Sequence, residues 1–486
     1  MYDTSPVFPT PNSIDSLCEA SATTLLEMQR KREISATEIL DAHLARIEAV
    51  NPRVNALVTL GDPEALRARA QAIDARWAQG EWQGPLHGLP VSQKDLTATR
   101  GVRTTFGSKA FEHHVPEHSA LIVRRCDAAG ALMIGKSNTP EFGAGSHTFN
   151  EVFGMTRNPW DLSKSAGGSS GGAAASVVCG MNPLACGSDM GGSLRNPAAW
   201  NGVVGLRPSP GRVPRAPDLN AWATLGVDGP MARNVEDAAL LLSAIAGPSG
   251  PNYESATELG EPGATFARPL QRDFRGVRVA FSAGLPGVPV DPDIQRTVQD
   301  QARVFESLGC EVVFADPDLA DAEDVFRVER AWMIGTLVEQ LDARSQALLK
   351  PEITDESRLH RSLSAADIGR MFVRKTALFQ RMREFMDAHP FYVLPTTQIL
   401  PFDADLRWPA SYLGQSCTTY IDWMRSCWYL SSTESPVLSV PCGFSATGLP
   451  IGMQIAGRFR DDWGVLQLGH AYEKAAAHRP ARPPVV

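Results

Sequence analysis

Hydrophobic and polar positions along the chain predict helices and strands in alternation. Apolar residues recur at helical spacing after the capping box Ser35-Ala36-Thr37-Glu38, and we expect that helix to end at Asn51-Pro52. The same spacing predicts further helices over 63–78, 120–129, 234–246, 294–308, 365–388 and 465–475. Short apolar runs predict strands over 89–94, 131–134, 277–281, 311–314, 391–394 and 437–440. Strands that alternate with helices indicate an α/β layered fold, with a right-handed βαβ crossover expected over 277–314.

Two polar stretches interrupt this pattern. Residues 151–172 are rich in glycine and polar side chains, which predicts a loop before an alanine-rich helix that runs through Ser176. Residues 247–273 are rich in proline, glycine and glutamate, and this composition suits an exposed connection. The sequence contains no fixed-period repeat, so a repeat architecture is not expected.

Composition and charge place the chain among ordinary globular proteins. Hydrophobic residues make up 43% and charged residues 21%, and the net charge of −8 argues against a nucleic-acid partner bound through a basic face. The eight cysteines contain no C-x-x-C pair, so we expect reduced, structural thiols. No apolar stretch approaches the roughly 18 residues that span a bilayer, and residues 1–6 lack the features of a secretory signal. We therefore expect a cytoplasmic monomer or homodimer with no membrane partner.

The segment from Gly130 to Ser137 matches the phosphate-binding pattern G-x-x-x-x-G-K-[ST] in every letter. That pattern works only as a flexible loop with a helix that begins at the lysine. Here the four middle residues are apolar, and Pro140 disfavours a helix after Lys136. A buried strand that ends in a turn is the better interpretation, and a nucleotide-binding protein stays an alternative that protection by ATP against thermal unfolding would support.

A second segment, Gly167-Gly168-Ser169-Ser170-Gly171, fits the nucleophile elbow G-x-S-x-G of α/β-hydrolases. An elbow requires a hydrophobic strand that leads into the serine, whereas residues 158–165 are mostly polar. Taken alone, this segment leaves two alternatives open. It is either a flexible glycine-rich linker or the elbow of an α/β-hydrolase with Ser169 as nucleophile.

Three separated segments together resemble the amidase signature family, whose hydrolases cleave carboxamides with a Ser–cis-Ser–Lys triad. The segments are 88–95, 167–172 and 187–195, and Ser193 follows Ser169 by 24 residues. Further stretches that look like family landmarks are 158–161, 205–213, 229–233 and 449–454. The resemblance covers about residues 25–475, most densely 84–235. It implies one large α/β/α domain over 61–486, with a central mixed twisted sheet covered by helices on both faces and an N-terminal helical segment over 1–60 packed on it.

Matched residue by residue, the resemblance implies Ser193 as the nucleophile, Ser169 as the bridging serine in a cis peptide and Lys94 as the base. A serine hydroxyl is a weak nucleophile until a base takes its proton, and a hydroxyl can relay that proton because it both donates and accepts. Lysine acts as a base only where burial disfavours its charged form, and Lys94 lies in a short, mostly apolar run. The side chain of Asp95 should point to the opposite face of that strand.

The backbone before the nucleophile is expected to bind the carbonyl oxygen of the substrate. The resemblance implies an oxyanion hole built from the backbone N–H groups of Met190, Gly191, Gly192 and Ser193. Asp189 and Arg195 are interpreted as a structural ion pair that stiffens this loop, and Ser170 as a residue that hydrogen-bonds without reacting. The histidines show no metal-ligand spacing, so we expect no metal and no cofactor.

Aromatic residues concentrate over 408–429, which is dense for a chain that averages 7%. In the family, the region before the final strands commonly helps to wall the acyl pocket. The resulting hypothesis is an apolar, aryl-accepting cleft walled by Trp423 and Trp428. Ordinary core packing on a helix over 417–430 is the alternative.

The sequence thus predicts an amidase that cleaves a small-molecule carboxamide, aryl or hydrophobic in character, through a seryl acyl-enzyme. The same chemistry would serve esters, anilides and carbamates, the last making the protein a urethanase. The glutaminase component of a tRNA-dependent amidotransferase is an alternative within the family, and it would require partner subunits. Residues 429–436 depart from the Ala-Asn-x-Ala-Gly-type sequence expected of that component.

Overall fold

A mixed β-sheet of eleven strands crosses the molecule, with helices around it. The structure, a computed structural model, describes residues 13–251, 253–476 and 482–486. The strands are β1 (Leu57–Leu60), β2 (Pro90–Lys94), β3 (Leu132–Ser137), β4 (Phe149–Asn150), β5 (Gly154–Met155), β6 (Arg157–Asn158), β7 (Asp161–Ser165), β8 (Leu184–Asp189), β9 (Val204–Arg207), β10 (Val227–Ala232), β11 (Arg278–Phe281), β12 (Glu311–Phe314), β13 (Phe391–Pro395), β14 (Ser411–Tyr412), β15 (Gln415–Ser416), β16 (Val437–Phe444) and β17 (Pro450–Gly457).

The described helices include four short 3₁₀ turns, Lys109–Phe111, Glu141–Gly143, Gly263–Ala267 and Asp422–Met424. The α-helices are α1 (Ile14–Glu19), α2 (Ala22–Arg30), α3 (Ala36–Val54), α4 (Pro63–Ala78), α5 (Leu121–Ala128), α6 (Gly171–Val178), α7 (Arg195–Asn201), α8 (Val235–Ile245), α9 (Pro292–Asp300), α10 (Ala302–Ser307), α11 (Ala322–Glu339), α12 (Ala343–Ala347), α13 (Pro351–Ser362), α14 (Ala365–Ala388), α15 (Arg425–Ser431) and α16 (Asp462–Ala475).

The order of strands in the main sheet is β1-β3-β2-β8-β10-β9-β16-β17-β13-β11-β12. Strand β2 runs parallel to both β3 and β8, whereas β8 and β10 are antiparallel. The mixed sheet with helices around it confirms the predicted α/β fold. Because β2 has a neighbour on each side and all its residues are buried, the side chains at its end lie inside the protein.

The predicted strands correspond to β2, β3, β11, β12, β13 and β16, and β11 and β12 pair in parallel. Helices α4, α5, α8 and α14 begin and end within one residue of their predicted bounds, whereas α16 begins three residues earlier. Five strands of the main sheet were not predicted, namely β1, β8, β9, β10 and β17. Several of them carry glycine or proline and are buried on both faces, so they lack the alternation that marks a half-buried strand.

Four predicted boundaries were wrong. Helix α3 does not end at Asn51-Pro52 but contains Pro52 near its end and stops at Asn55, which adopts φ 56°. The helix predicted over 294–308 is two helices, α9 and α10, that meet at Gln301. The loop predicted over 151–172 contains the hairpin strands β6 and β7. The helix considered over 417–430 begins only with the 3₁₀ turn at Asp422, because β15 and a bend precede it.

Helix α6 lies so close to the end of β3 that only a glycine fits at its start. A Cβ at Gly172 would lie 2.3 Å from the backbone nitrogen of Asn138 and 2.5 Å from the carbonyl oxygen of Ala56. The small residues of the glycine- and alanine-rich segment therefore let the start of α6 approach the sheet. This packing brings the serines that precede α6 to the ends of β2 and β8.

Other predictions from composition have mixed outcomes. All eight cysteines are free thiols, as predicted. Among the described residues, no helix combines the length and the apolar character needed to cross a membrane. The predicted connection over 247–273 is partly buried, because Phe266 packs into the core. The prediction that residues 1–6 carry no secretory signal lies outside the described residues, and the boundary near residue 60 stays a prediction.

Candidate active site

The amine of Lys94 lies at the end of β2 among three serine hydroxyls. Nζ donates to Ser169 Oγ at 2.7 Å, to Ser170 Oγ at 2.9 Å and to Ser188 Oγ at 3.0 Å. The side chain is almost completely buried, with 1% of the residue exposed. The structure therefore brings Lys94 and Ser169 together, as the sequence predicted for two residues 75 positions apart.

Burial decides the charge of this amine. It lowers the pKa of Lys94 to about 7, while the carboxylates of Asp228 and Asp189 oppose the shift and the Arg215 guanidinium adds to it. The neutral amine is thus well populated near neutral pH. A neutral amine surrounded by hydroxyls can accept a proton from one of them.

The serines that precede α6 are fixed by their neighbours. The Gly168–Ser169 peptide bond is cis. The backbone N–H of Ser170 donates to the Ser193 carbonyl oxygen at 3.1 Å, and its hydroxyl donates to the Ser188 carbonyl oxygen at 3.2 Å. Ser170 thus connects the segments that carry Ser169, Ser188 and Ser193 without facing the cavity itself.

Ser193 faces the same cavity as Ser169, with 8% of the residue exposed. Among the described residues, no hydrogen bond joins the hydroxyls of Ser193 and Ser169. The structure thus gives one hydrogen bond of the predicted relay, from Lys94 to Ser169. The second requires the Ser193 hydroxyl to turn toward Ser169.

The Asp189 carboxylate organises the turn before the candidate nucleophile. It accepts hydrogen bonds from the N–H groups of Gly192 at 2.8 Å and Leu194 at 3.1 Å, and Nε of Arg195 donates to it at 3.0 Å. Burial opposes ionisation of Asp189, but the Arg195 and Arg207 guanidinium groups outweigh burial and hold its pKa well below the usual range. Asp189 and Arg195 therefore form a fully buried ion pair that fixes this turn.

The four backbone amides predicted for the oxyanion hole are not equivalent. The Gly192 N–H is already bonded to the Asp189 carboxylate. In the part of the chain that the structure describes, no protein acceptor is bonded to the N–H groups of Met190, Gly191 or Ser193. Gly192 has φ 118°, and a Cβ there would lie 2.6 Å from the Cβ of Cys427, so this turn requires glycine.

The cavity in front of the serines has a volume of about 130 Å³. Its apolar wall consists of Leu96, Phe142, Val227, Phe326, Ile334, Ile421 and Met424. Its polar side chains, besides the serines, are those of Arg215, Arg330 and Tyr420. Arg330 donates to the Tyr420 hydroxyl at 2.6 Å and forms an ion pair with Glu356, so its charge is compensated.

Neither tryptophan predicted for the pocket lines this cavity, which corrects the predicted wall. Trp423 stacks on Trp200 with ring centroids 5.0 Å apart, and Trp428 stacks on Phe326 at 4.8 Å. Both indoles lie in the core behind the wall because the turn over 421–424 directs Ile421 and Met424 toward the cavity instead. The aromatic density in the sequence therefore marks the support of the pocket.

Sequence analysis missed three polar residues around Lys94, namely Ser188, Asp228 and Arg215. Ser188 and Asp228 lie within or beside the family segments, yet nothing local distinguishes them from structural residues. Their proximity to Lys94 follows from the pairing of β8 with β2 and β10. A larger groove of about 1500 Å³ lies near α2, α8 and α16 and contains none of these residues.

The two competing motifs have other roles. The segment from Gly130 to Ser137 forms a turn and the interior strand β3, and Lys136 donates to the backbone carbonyl oxygen of Thr97 and to Thr99 Oγ1, so the nucleotide-binding hypothesis is wrong. The strand before Ser169 is β7, which belongs to a two-stranded sheet with β6 rather than to the main sheet. Among the described residues, no group of three or more histidine, cysteine, aspartate or glutamate side chains can hold a metal ion.

Known proteins similar to this chain agree on one family. The family model described as Amidase matches residues 38–466. An acylamidase from Rhodococcus erythropolis is 35% identical over 460 residues, which are 93% of this chain and 94% of that protein. One of the subunits of the glutamyl-tRNA(Gln) amidotransferase from Roseiflexus sp. (strain RS-1) is 37% identical over 475 residues, covering 92% and 94%.

Solved structures agree with the sequence matches. A bacterial aryl acylamidase of the amidase signature family superposes with a TM-score of 0.87 at 29% identity, covering 95% of this chain and 99% of that one. A 6-aminohexanoate cyclic dimer hydrolase in complex with substrate gives a TM-score of 0.84 at 26% identity, covering 96% and 99%. The chain therefore belongs to the amidase signature family and is an amide hydrolase.

Proposed function

We propose that the protein hydrolyses a small carboxamide through an acyl-enzyme on Ser193, with Lys94 as the base and Ser169 as the relay. The observation that carries this proposal is the buried Lys94 amine, which lies 2.7 Å from the Ser169 hydroxyl at the edge of the cavity. Burial favours the neutral form that a base requires. The second hydrogen bond of the relay forms when the Ser193 side chain rotates toward Ser169.

Acylation begins with proton transfer through the relay. Lys94 Nζ takes the proton of Ser169, Ser169 takes the proton of Ser193, and Ser193 Oγ forms a bond to the carbonyl carbon. The carbonyl π electrons move to oxygen, where the N–H groups of Met190, Gly191 and Ser193 stabilise the negative charge. Removing one such donor typically costs about 10²–10³ in rate.

The remaining steps return the same protons. The tetrahedral intermediate breaks its carbon–nitrogen bond, and the departing nitrogen receives a proton from Ser169, which Lys94 replaces. Water then attacks the Ser193 ester and gives its proton to the relay, so that carboxylic acid leaves and the serine hydroxyl is restored. One amide and one water give one acid and one amine or ammonia.

The walls of the cavity support an aryl or other hydrophobic substrate. Phe326, Ile421 and Met424 offer apolar surface, and the charge of Arg330 is already paired with Glu356. The relatives named acylamidase and aryl acylamidase agree with this preference. Anilides, esters and carbamates present the same carbonyl to the turn before Ser193, so they are candidate substrates as well.

A second candidate function is that of the glutaminase component of an amidotransferase, which the relative from Roseiflexus favours. It would require partner subunits, and glutaminase activity would appear only in their presence. The apolar wall of the cavity offers little to the polar amide and charged groups of glutamine. We therefore rank the stand-alone amidase first.

The test of the proposed nucleophile is intact-mass analysis after treatment with an acylating or phosphonylating serine inhibitor. We expect one covalent adduct, which peptide mapping assigns to Ser193. Ser193→Ala should give no adduct, and the matched control Ser176→Ala, a buried serine in α6, should label like the wild type. An adduct on Ser169 in the wild-type protein would contradict the assignment.

The test of substrate preference compares an aryl amide with a short aliphatic amide in Phe326→Leu. Because Phe326 lines the cavity, we expect kcat/KM for the aryl amide to fall about 10-fold more than for the aliphatic one. Phe305→Leu is the control, since Phe305 is equally buried but stacks on Tyr472 in another part of the core. Equal losses for both substrates would argue against an aryl pocket.

A further inference from the structure

Strand pairing places the carboxylate of Asp228 beside the lysine site. Asp228 of β10 is the cross-strand partner of Ser188 of β8, and directly opposed residues of antiparallel strands project to the same face. The Ser188 hydroxyl accepts a hydrogen bond from Lys94 Nζ at 3.0 Å. Asp228 therefore lies one residue beyond the ring of hydroxyls around the amine.

Arg215 covers this carboxylate from the cavity. Its Nε lies 3.6 Å from Asp228 Oδ2, and its Nη1 lies 3.5 Å from Asp218 Oδ2. The Arg215 side chain is 38% exposed and lines the cavity, whereas the Asp228 side chain is only 15% exposed. The ion pair thus stands between the cavity and the buried amine.

The other charged groups near the amine are committed elsewhere. Asp189, the other carboxylate on this side, is held by two buried arginines. Asp95, next to Lys94 on β2, accepts hydrogen bonds from the backbone and hydroxyl of Thr105. The amine of Lys136 on the neighbouring strand β3 donates to the segment after β2. Asp228 and Arg215 are therefore the charged pair whose balance can be changed without dismantling a buried network.

We propose that the Asp228–Arg215 ion pair is a positioning pair that acts through space on the Lys94 amine and sets the lower pH limit of activity. The carboxylate favours the ammonium form, and the guanidinium offsets it. The two side chains touch neither the reacting hydroxyls nor, in this role, the substrate. The inference rests on the proposed function of Lys94 as the base.

The electrostatics of the site agree with this geometry. After burial, the largest influence on the pKa of Lys94 is Asp228, which raises it, and Arg215 lowers it. Burial raises the pKa of Asp228 and Arg215 lowers it, so the arginine also helps to keep the carboxylate ionised. Removing one member of the pair should therefore move the titration of the base in one direction, and removing the other should move it back.

The experiment measures kcat/KM against pH for the full-length enzyme with an uncharged anilide. Asp228→Asn should move the lower-pH limb of the profile to lower pH by about one unit, because the ammonium form loses its partner. Arg215→Gln should move it to higher pH by a smaller amount, since Asp228 then also becomes less ionised. The double variant should lie close to wild type, and Arg215→Lys, which keeps the charge, should retain the wild-type limb.

A matched control uses the exposed Asp273–Arg275 ion pair, for which Asp273→Asn and Arg275→Gln should leave the limb in place. If Asp228→Asn and Arg215→Gln lower kcat/KM equally at every pH, the pair is structural and the inference fails. If Arg215→Gln changes KM alone, Arg215 binds substrate and the inference also fails. An active Lys94→Met variant would instead overturn the proposed function, so the two failures can be told apart.

Discussion

Lys94 and Lys136 lie on neighbouring parallel strands, and their comparison shows what makes a buried amine reactive. In the register of β2 and β3, Lys94 is opposite Ser137 and Lys136 is opposite Gln93. Both side chains are buried, and burial lowers the pKa of each to about 7. By charge state alone, the two residues are equally suited to act as a base.

Their surroundings differ in two respects. Lys94 donates to three hydroxyls, one of which, Ser169, lines the cavity. Lys136 donates to a backbone carbonyl oxygen and to one threonine hydroxyl, and it does not line the cavity. A carbonyl oxygen accepts hydrogen bonds but never donates a proton, so it cannot relay one. Burial creates a neutral amine, but only a hydroxyl that reaches the substrate makes that amine useful.

The largest expected effect separates the two lysines by substitution with methionine. Lys94→Met should lower kcat/KM by about 10⁴-fold, since it removes the base, and should keep or raise the melting temperature at neutral pH because no buried amine remains to be desolvated. Lys136→Met should retain kcat/KM within about 10-fold per folded molecule while its melting temperature changes. Kinetics together with calorimetry check both. Equal kinetic losses in the two variants would remove the distinction.

A smaller effect is expected from the hydroxyls around each amine. Ser169→Ala should lower kcat/KM by about 10²–10³-fold because the relay between Lys94 and Ser193 is lost. Thr99→Val, which removes the hydroxyl beside Lys136, should leave kcat/KM within a few-fold of wild type. Steady-state kinetics with an anilide measure both. Substantial activity in Ser169→Ala would show that Lys94 acts on Ser193 without the relay.

The smallest effect concerns pH. Because the neutral amine is the active form, kcat/KM should rise with pH through about 7, the pKa of Lys94, and this limb should be unchanged in Lys136→Met. Stability should also rise with pH from about 7 toward the unfolded value of about 10.4, since the unfolded chain binds more protons there. Lys94→Met should show a shallower rise in denaturant titrations. A limb that moves in Lys136→Met would contradict the comparison.

Much of the site followed from the sequence because the family segments are contiguous. Ser169, Ser193 and Lys94 stand in glycine-rich or apolar stretches whose order and spacing are recognisable, and Asp189 and Arg195 lie within six residues of each other. Trp423 and Trp428 were placed in the pocket wall by aromatic density, which does not tell an indole in the wall from one behind it. The face that a side chain presents depends on the turn over 421–424.

By itself, the sequence determined which strands and helices carry periodic apolar patterns, the family, and the residues matched to the triad. Local patterns suffice for these because each one lies within a short stretch of chain. Only the tertiary structure decided that β8 and β10 join β2 in one sheet, that Lys94 rather than Lys136 meets the hydroxyls, and that Asp228 and Arg215 stand beside the amine. Strand order and burial arise from contacts between residues far apart in the chain, and these contacts set both the amine's desolvation and its partners.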